Sequence, residues 1–308
     1  MYLGIEIGGT KLQLGLGEGD GTITALWRGT VDPSAGGAGI RRQIEAAIPE
    51  LLARAGQDRT ALRGVGIGFG GPTDDATQTV VKSHHIAGWD GFPLRDWVTE
   101  LVGVPAVLCN DADVAGLAEA LFGAGRGLSP LFYITVGTGI GGGLILDGEI
   151  YRGVGRGATE IGHLRPVYPR TAGGHDEVVE YYAAGWGIER AARERMGQPC
   201  SARQVAEAAR AGDPIARAIL DEAVQALAEG VCSVIKLLCP RRIVIGGGVS
   251  LMGEDLFFAP LRRYVAERGL AAFAGLTDIV PAALGEEVVV HGALALARRK
   301  LPPPSRAA

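Results

Sequence analysis

The chain opens on short apolar runs separated by glycine turns: Tyr2 to Ile7, Gly8-Gly9-Thr10, Lys11 to Leu16, Asp20-Gly21, then Thr22 to Arg28. Runs bounded in this way predict strand, turn, strand, turn, strand. The same order returns from Leu131, with LFYITV, Gly137-Thr138-Gly139, Gly142 to Leu146, Asp147-Gly148 and Glu149 to Gly153. In each half an Asp-Gly pair between apolar runs signals a hairpin. The recurrence predicts two homologous halves.

Between them, Ile40, Ile44, Ile48, Leu51 and Leu52 keep helical spacing, with Pro49 expected to kink or break that helix. Gly64 to Phe69 and Ala106 to Cys109 read as buried strands, and Asp111 to Phe122 as a helix. Beyond Glu177 the pattern is mostly helical, over Glu180 to Arg195, Ala202 to Ala211 and Pro214 to Leu238, before a strand at Arg242 to Ile245 and the turn Gly246-Gly247-Gly248. The expected division is an N-terminal α/β domain over 1–114, completed by a C-terminal helix at 286–300, a second α/β domain over 115–285, and a loose tail at 301–308.

Composition narrows the function classes. A chain of 308 residues with 47% hydrophobic and 21% charged residues can bury a sizeable core, which excludes wholesale disorder. A net charge of −4 with scattered arginines argues against nucleic acid as a partner. The start lacks the basic region of a signal peptide, and no stretch reaches the roughly 18 apolar residues of a membrane span, so no membrane is expected and the protein reads as cytoplasmic. Cys109, Cys200, Cys232 and Cys239 lack C-x-x-C spacing and read as free thiols.

Several segments carry candidate chemistry. Gly8-Gly9-Thr10-Lys11 between two strands can present backbone N–H groups, a hydroxyl and a cation to an anion, or serve as a plain hairpin turn. Gly137 to Gly142 satisfies G-x-G-x-x-G, yet the chain continues as a strand where a dinucleotide fold needs a helix, and no P-loop motif occurs. Asn110-Asp111-Ala112-Asp113 follows a strand and starts a helix; either Asn110 or Asp111 can be its cap, and the same edge suits a catalytic carboxylate. Glu160-Ile161-Gly162-His163 and Glu180 offer polar groups to sugar hydroxyls, or are merely solvated. His84-His85 are ambiguous, and a metal site from His163, His175 and Asp176 is disfavoured.

Taken together, GIEIGGTK (Gly4 to Lys11), GVGIGFGGPTD (Gly64 to Asp74), Gly88-Trp89 with Pro93-Leu94, NDAD (Asn110 to Asp113), GAGRG (Gly123 to Gly127), TVGTGIGGG (Thr135 to Gly143), EIGH (Glu160 to His163) and IVIGGGVS (Ile243 to Ser250) resemble the ROK family of sugar kinases and sugar-sensing repressors. The resemblance implies an α/β fold of two ribonuclease-H-like domains of the actin and hexokinase type, with ATP and a hexose in the cleft between them, and a homodimer. It implies that Gly9, Thr10, Lys11, Thr138 and Gly139 face the phosphates and that Gly247 and Gly248 approach the adenosine. Asn110, Asp111, Glu160, His163 and Glu180 would hold the sugar, with Gly71 and His84 at its rim. Asp111 would be the base, and Mg²⁺ would come with ATP.

Three departures from the family pattern stand out. The segment Val167 to Val179 has no cysteine where many relatives carry a zinc-binding set, so no structural zinc is expected. Glu6 replaces the usual Asp near the metal and phosphate, and Asp113 replaces the last Asn of N-D-A-N. An ATP-dependent hexose kinase, most simply a glucokinase, is the leading expectation. The rivals are a sugar-sensing regulator, whose helix-turn-helix domain does not fit ahead of a strand at Tyr2, and a catalytically silent sugar-binding protein.

Overall fold

The structure, a computed structural model, describes residues 1–83, 86–167 and 177–301. Its first sheet is formed by β1 (Tyr2–Ile7), β2 (Lys11–Gly17), β3 (Ala25–Thr30), β4 (Val65–Phe69) and β7 (Ala106–Asn110), in the order β3-β2-β1-β4-β7. β5 (Thr73–Asp74) and β6 (Thr79–Val80) make a separate short ribbon. β1 runs antiparallel to β2, with Leu3 opposite Leu16, and parallel to β4, with Leu3 opposite Val65. β1 and β4 are buried at every position, which is why they read as unbroken apolar runs instead of alternating ones.

Three helices flank this sheet in sequence: α1 (Gly36–Arg54), α2 (Leu94–Val102) and α3 (Asp111–Phe122). α1 runs through Pro49 without the expected break. Pro49 is exposed, so the carbonyl deprived of its helical donor can turn to water, while Ile40, Ile44, Ile48 and Leu51 keep one buried face.

The second sheet repeats the first. Its strands are β8 (Leu131–Val136), β9 (Ile140–Leu146), β10 (Glu149–Ile150), β11 (Arg242–Gly246) and β12 (Asp278–Pro281), in the order β10-β9-β8-β11-β12. Again the first strand is antiparallel to the second and parallel to the fourth, and the fourth is parallel to the fifth. This identity of strand order is the duplication expected from the glycine punctuation, and the fold is a mixed α/β one with two domains. The helices here are α4 (Val179–Ala183), α5 (Gly185–Met196), α6 (Ala202–Arg210), α7 (Pro214–Leu238) and α8 (Ala259–Arg268). The expected helix from Glu180 to Arg195 is split at Ala184, whose backbone is extended. The split frees the Gly185 N–H to donate to the Gly137 carbonyl at 2.8 Å.

The last helix, α9 (Val288–Lys300), returns to the first unit. It lies so close to the first sheet that a Cβ on Gly66 would meet the Ala293 carbonyl oxygen at 1.9 Å; a Cβ on Gly292 would meet that of Val114 in α3 at the same distance. One compact unit comprises Met1–Arg126, Gly148–Ala158 and the chain from Leu284 onward; the other comprises Gly127–Asp147 and Thr159–Ala283. The boundary expected after residue 114 is therefore corrected, since it cuts α3, which packs along α9 inside the first unit. Fully buried Glu119 reinforces the true boundary by accepting the N–H groups of Ala124, at 2.7 Å, and of Leu284, at 2.9 Å, where the chain leaves this unit and re-enters it. Among the described residues no helix is long and apolar enough to cross a membrane.

Candidate active site

In the first unit the turn between β1 and β2 closes through Gly8 N–H to the Lys11 carbonyl at 3.0 Å and leaves Gly9 and Thr10 exposed. Lys11, still partly exposed, folds back toward Glu6: its Nζ lies 2.9 Å from Glu6 Oε1 and 2.9 Å from the Glu286 carbonyl. Glu6 is 4% exposed, and its Oε2 is buried without a hydrogen-bond partner. Burial pushes the Glu6 carboxyl up to about 7; Lys11 opposes the rise, and Asp111 and Glu286 add to it. An orphaned carboxyl oxygen of this kind is the hard donor that a magnesium ion takes, and a cation beside it would favour the ionised form.

At the junction of β7 and α3 the two candidate caps divide their work. Asn110 is the cap, its side-chain oxygen accepting from Ala112 N at 2.9 Å and Asp113 N at 3.3 Å, while its Nδ2 donates to the Gly71 carbonyl at 3.1 Å. Asp111 is the first helical residue and half-buried. Its Oδ1 accepts from Ala112 N at 2.8 Å, and its Oδ2 lies 3.3 Å from the place a Cβ would take on Gly70. Gly71, Asn110 and Asp111 thus form one cluster, with the charge of Asp111 felt at Glu6. His84 lies outside the described residues.

Sequence reasoning missed what surrounds Asp113. This residue is 2% exposed and ion-paired with Arg152, which also grips Asp75 and Thr73. Burial pushes the Asp113 carboxyl up to about 7 against the pull of Arg152. The one signal available was Asp113 itself, a charge directly ahead of the apolar run Val114 to Ala118.

The second unit gathers the remaining candidates at the end of β8. The loop from Gly137 to Gly139 exposes Thr138 and is held from below by α4 and α5: Gly185 N–H donates to the Gly137 carbonyl, and Glu180 Oε2 accepts from Ile140 N at 2.7 Å. A Cβ on Gly139 would stand 2.9 Å from that same Glu180 oxygen. Gly247, at φ 88°, passes so near β8 that a Cβ there would meet the Val136 carbonyl oxygen at 2.5 Å, whereas Gly248 faces open space. Thr138, Gly139, Gly247 and Gly248 therefore share one sheet end. Glu160 precedes and His163 ends a short 3-10 turn (Ile161–His163); both side chains are 63% exposed, with His163 Nδ1 3.3 Å from Glu160 Oε2. The turn is pinned to β9, since a Cβ on Gly162 would meet the Ile140 carbonyl oxygen at 2.4 Å. Most of the cysteine-free segment lies outside the described residues.

Comparison with known proteins gives these clusters a context. A glucokinase from Thermotoga maritima is 32% identical over 316 aligned residues, covering 97% of this chain and 98% of the relative. A ROK hexokinase from Thermus thermophilus superposes with a TM-score of 0.80 at 30% identity, covering 97% of this chain and 98% of its own. A ROK family glucokinase from Streptomyces griseus, solved with glucose and AMPPNP, gives a TM-score of 0.79 at 33% identity, covering 97% and 99%. The model of the ROK family matches residues 2–300, and with the motifs and the duplicated sheets this establishes that the chain belongs to the ROK family.

Proposed function

We propose that this protein is an ATP-dependent hexose kinase that converts glucose to glucose 6-phosphate. The observation that carries the reading is the division of labour between Asn110 and Asp111. With the cap supplied by Asn110, a carboxylate stands at a sheet end beside a glycine loop without being the helix cap. In the reaction, the Asp111 carboxylate takes the proton of the sugar hydroxyl as its oxygen attacks the γ-phosphorus. The bond from the γ-phosphorus to the β,γ-bridging oxygen breaks, and ADP leaves. Asn110, Glu160, His163 and Glu180 bind sugar hydroxyls, with Gly71 and His84 at the rim.

On the nucleotide side, Gly9, Thr10, Thr138 and Gly139 bring exposed backbone and hydroxyl groups to the phosphates, and Lys11 adds positive charge beside Glu6. Gly247 and Gly248 approach the adenosine, Gly247 through a backbone packed against β8 and Gly248 through the open space beside it. Mg²⁺ bound with ATP offsets charge on the β and γ oxygens, and Glu6 Oε2 would hold it. The reading includes a cytoplasmic homodimer, whose oligomeric state light scattering on the purified protein checks.

The test is a coupled ADP-release assay over glucose, fructose, mannose and N-acetylated amino sugars, with and without Mg²⁺. Turnover dependent on both sugar and metal is expected. ADP release that is the same with and without every sugar removes the kinase assignment in favour of a sensor or a silent binding protein.

A further inference from the structure

The guanidinium of Arg152 uses all three of its nitrogens, and it uses them on two different elements of the first unit. Nε lies 3.0 and 3.2 Å from the two carboxylate oxygens of Asp75; Nη2 lies 2.9 Å from Asp75 Oδ1, 3.1 Å from the Thr73 carbonyl and 3.0 Å from Thr73 Oγ1. Nη1 donates to Asp113 Oδ2. Thr73 opens β5 and Asp75 follows it, on the segment that leaves β4 through Gly70 and Gly71, and Asp113 belongs to the first turn of α3. The side chain is only 11% exposed, so these bonds form away from the full screening of water.

A second tie joins the same two elements, from Asn110 Nδ2 to the Gly71 carbonyl. Asp111 lies between the two tied helix positions, with Oδ2 facing Gly70 of the tied loop. The segment from Gly148 to Ala158 is further fastened to that loop by Asp75 N–H to the Gly155 carbonyl at 2.8 Å and by Arg156 Nε to Asp74 Oδ2 at 3.0 Å.

We propose that Arg152 is a positioning residue for phosphoryl transfer: by locking the Gly70–Asp75 loop to the first turn of α3, it fixes the Asp111 carboxylate in the place from which it takes the sugar's proton. The inference rests on the kinase reading of Asp111. Lysine cannot substitute, because an ammonium presents one nitrogen where acceptors on two elements need a planar fork. Displacing a catalytic group by about 1 Å can cost on the order of 10²-fold in rate. The loss should fall mainly on kcat, since Glu160, His163 and Glu180, three of the groups that hold the hexose, are carried by the other unit.

The experiment is a double-mutant cycle on full-length protein, assayed by hexose-dependent ADP release well below each variant's melting temperature. Arg152→Lys should lower kcat by about 10- to 100-fold with the KM for hexose within about threefold. Asp113→Asn, which keeps an oxygen acceptor for Nη1, should lose less than Arg152→Lys. In an Asp111→Asn background, Arg152→Lys should cost little more, because its effect passes through the missing base.

A folded Arg152→Lys protein with kcat within threefold of wild type overturns the proposal, as does a loss that multiplies fully onto that of Asp111→Asn. Should Arg152→Lys not fold, Asp75→Asn, at a partly exposed site, decides: kcat reduced by about 3- to 10-fold supports the tie, and an unchanged kcat overturns it. Failure of the parent reading looks different, since Asp111→Asn alone would then turn over at the wild-type rate.

Discussion

Replacing Asp111 by Asn isolates the proton-accepting role from everything else the residue does. Asn110 holds the cap with two bonds to backbone N–H groups, and an Asn at 111 can still accept from Ala112 N through its side-chain oxygen, so the helix start is preserved. The charge lost from the first helical turn costs roughly 0.3–1 kcal/mol of favourable interaction with the helix dipole. Against this stands relief at the buried Glu6 and Asp113 carboxyls, both of which Asp111 pushes toward protonation. The two effects oppose, and at about 2–4 °C per kcal/mol for units of this size the melting temperature should stay within a few degrees of wild type. Hexose binding should persist, while kcat falls by on the order of 10² to 10⁴, the usual contribution of a positioned general base. Thermal melting, isothermal titration with hexose and the coupled ADP assay measure the three quantities on one preparation. A variant that melts far earlier would return Asp111 to a structural role, and a stable variant with near-normal kcat would refute the base assignment.

How much of this was legible in the sequence depends on where each residue's partners lie. β1, β2, β8 and β9 could be placed because their glycine turns and Asp-Gly hairpins are local signals, and the common strand order of the two sheets follows from that repeated grammar. The need for glycine at Gly66 and Gly292 could not be read from the sequence, because its cause, the close approach of α9 to the first sheet and to α3, joins residues far apart in the chain. The break at Ala184 was invisible for the same reason, since the Gly137 carbonyl that receives Gly185 belongs to another element. Asn110 and Asp111 could be named as cap and carboxylate but not told apart, because the choice shows only in the bonds from Ala112 N and Asp113 N to Asn110 Oδ1, whose amide also reaches Gly71 across the sheet end. Arg152 gave no signal in a glycine-rich stretch, being separated by 77 residues from Asp75 and by 39 from Asp113. A local pattern thus reveals strands and turns, whereas the ties that hold a site in shape are non-local and emerge only with the fold.

Other consequences can be measured directly. Glu180→Ala should raise the KM for ATP as well as for hexose, because its carboxylate holds the Ile140 N–H at the foot of the Gly137–Gly139 loop; a change confined to the hexose KM would discount that role. Metal analysis after dialysis should find no stoichiometric zinc, since the Val167–Val179 segment carries no cysteine to complete a tetrahedral site around His163, and one retained equivalent of zinc would contradict this. The buried Asp113 carboxyl, raised from the ordinary 3.8 to about 7, binds a proton more tightly in the folded chain than in the unfolded one. Its contribution to stability is therefore fully present below about pH 4 and is lost as the pH rises toward 7. Asp113→Asn removes that titration while other groups remain, so the difference in melting temperature between variant and wild type should move in the variant's favour from pH 5 to pH 8. A difference that stays constant over this range would show that the carboxyl ionises normally, and that Arg152 fully offsets the effect of its burial.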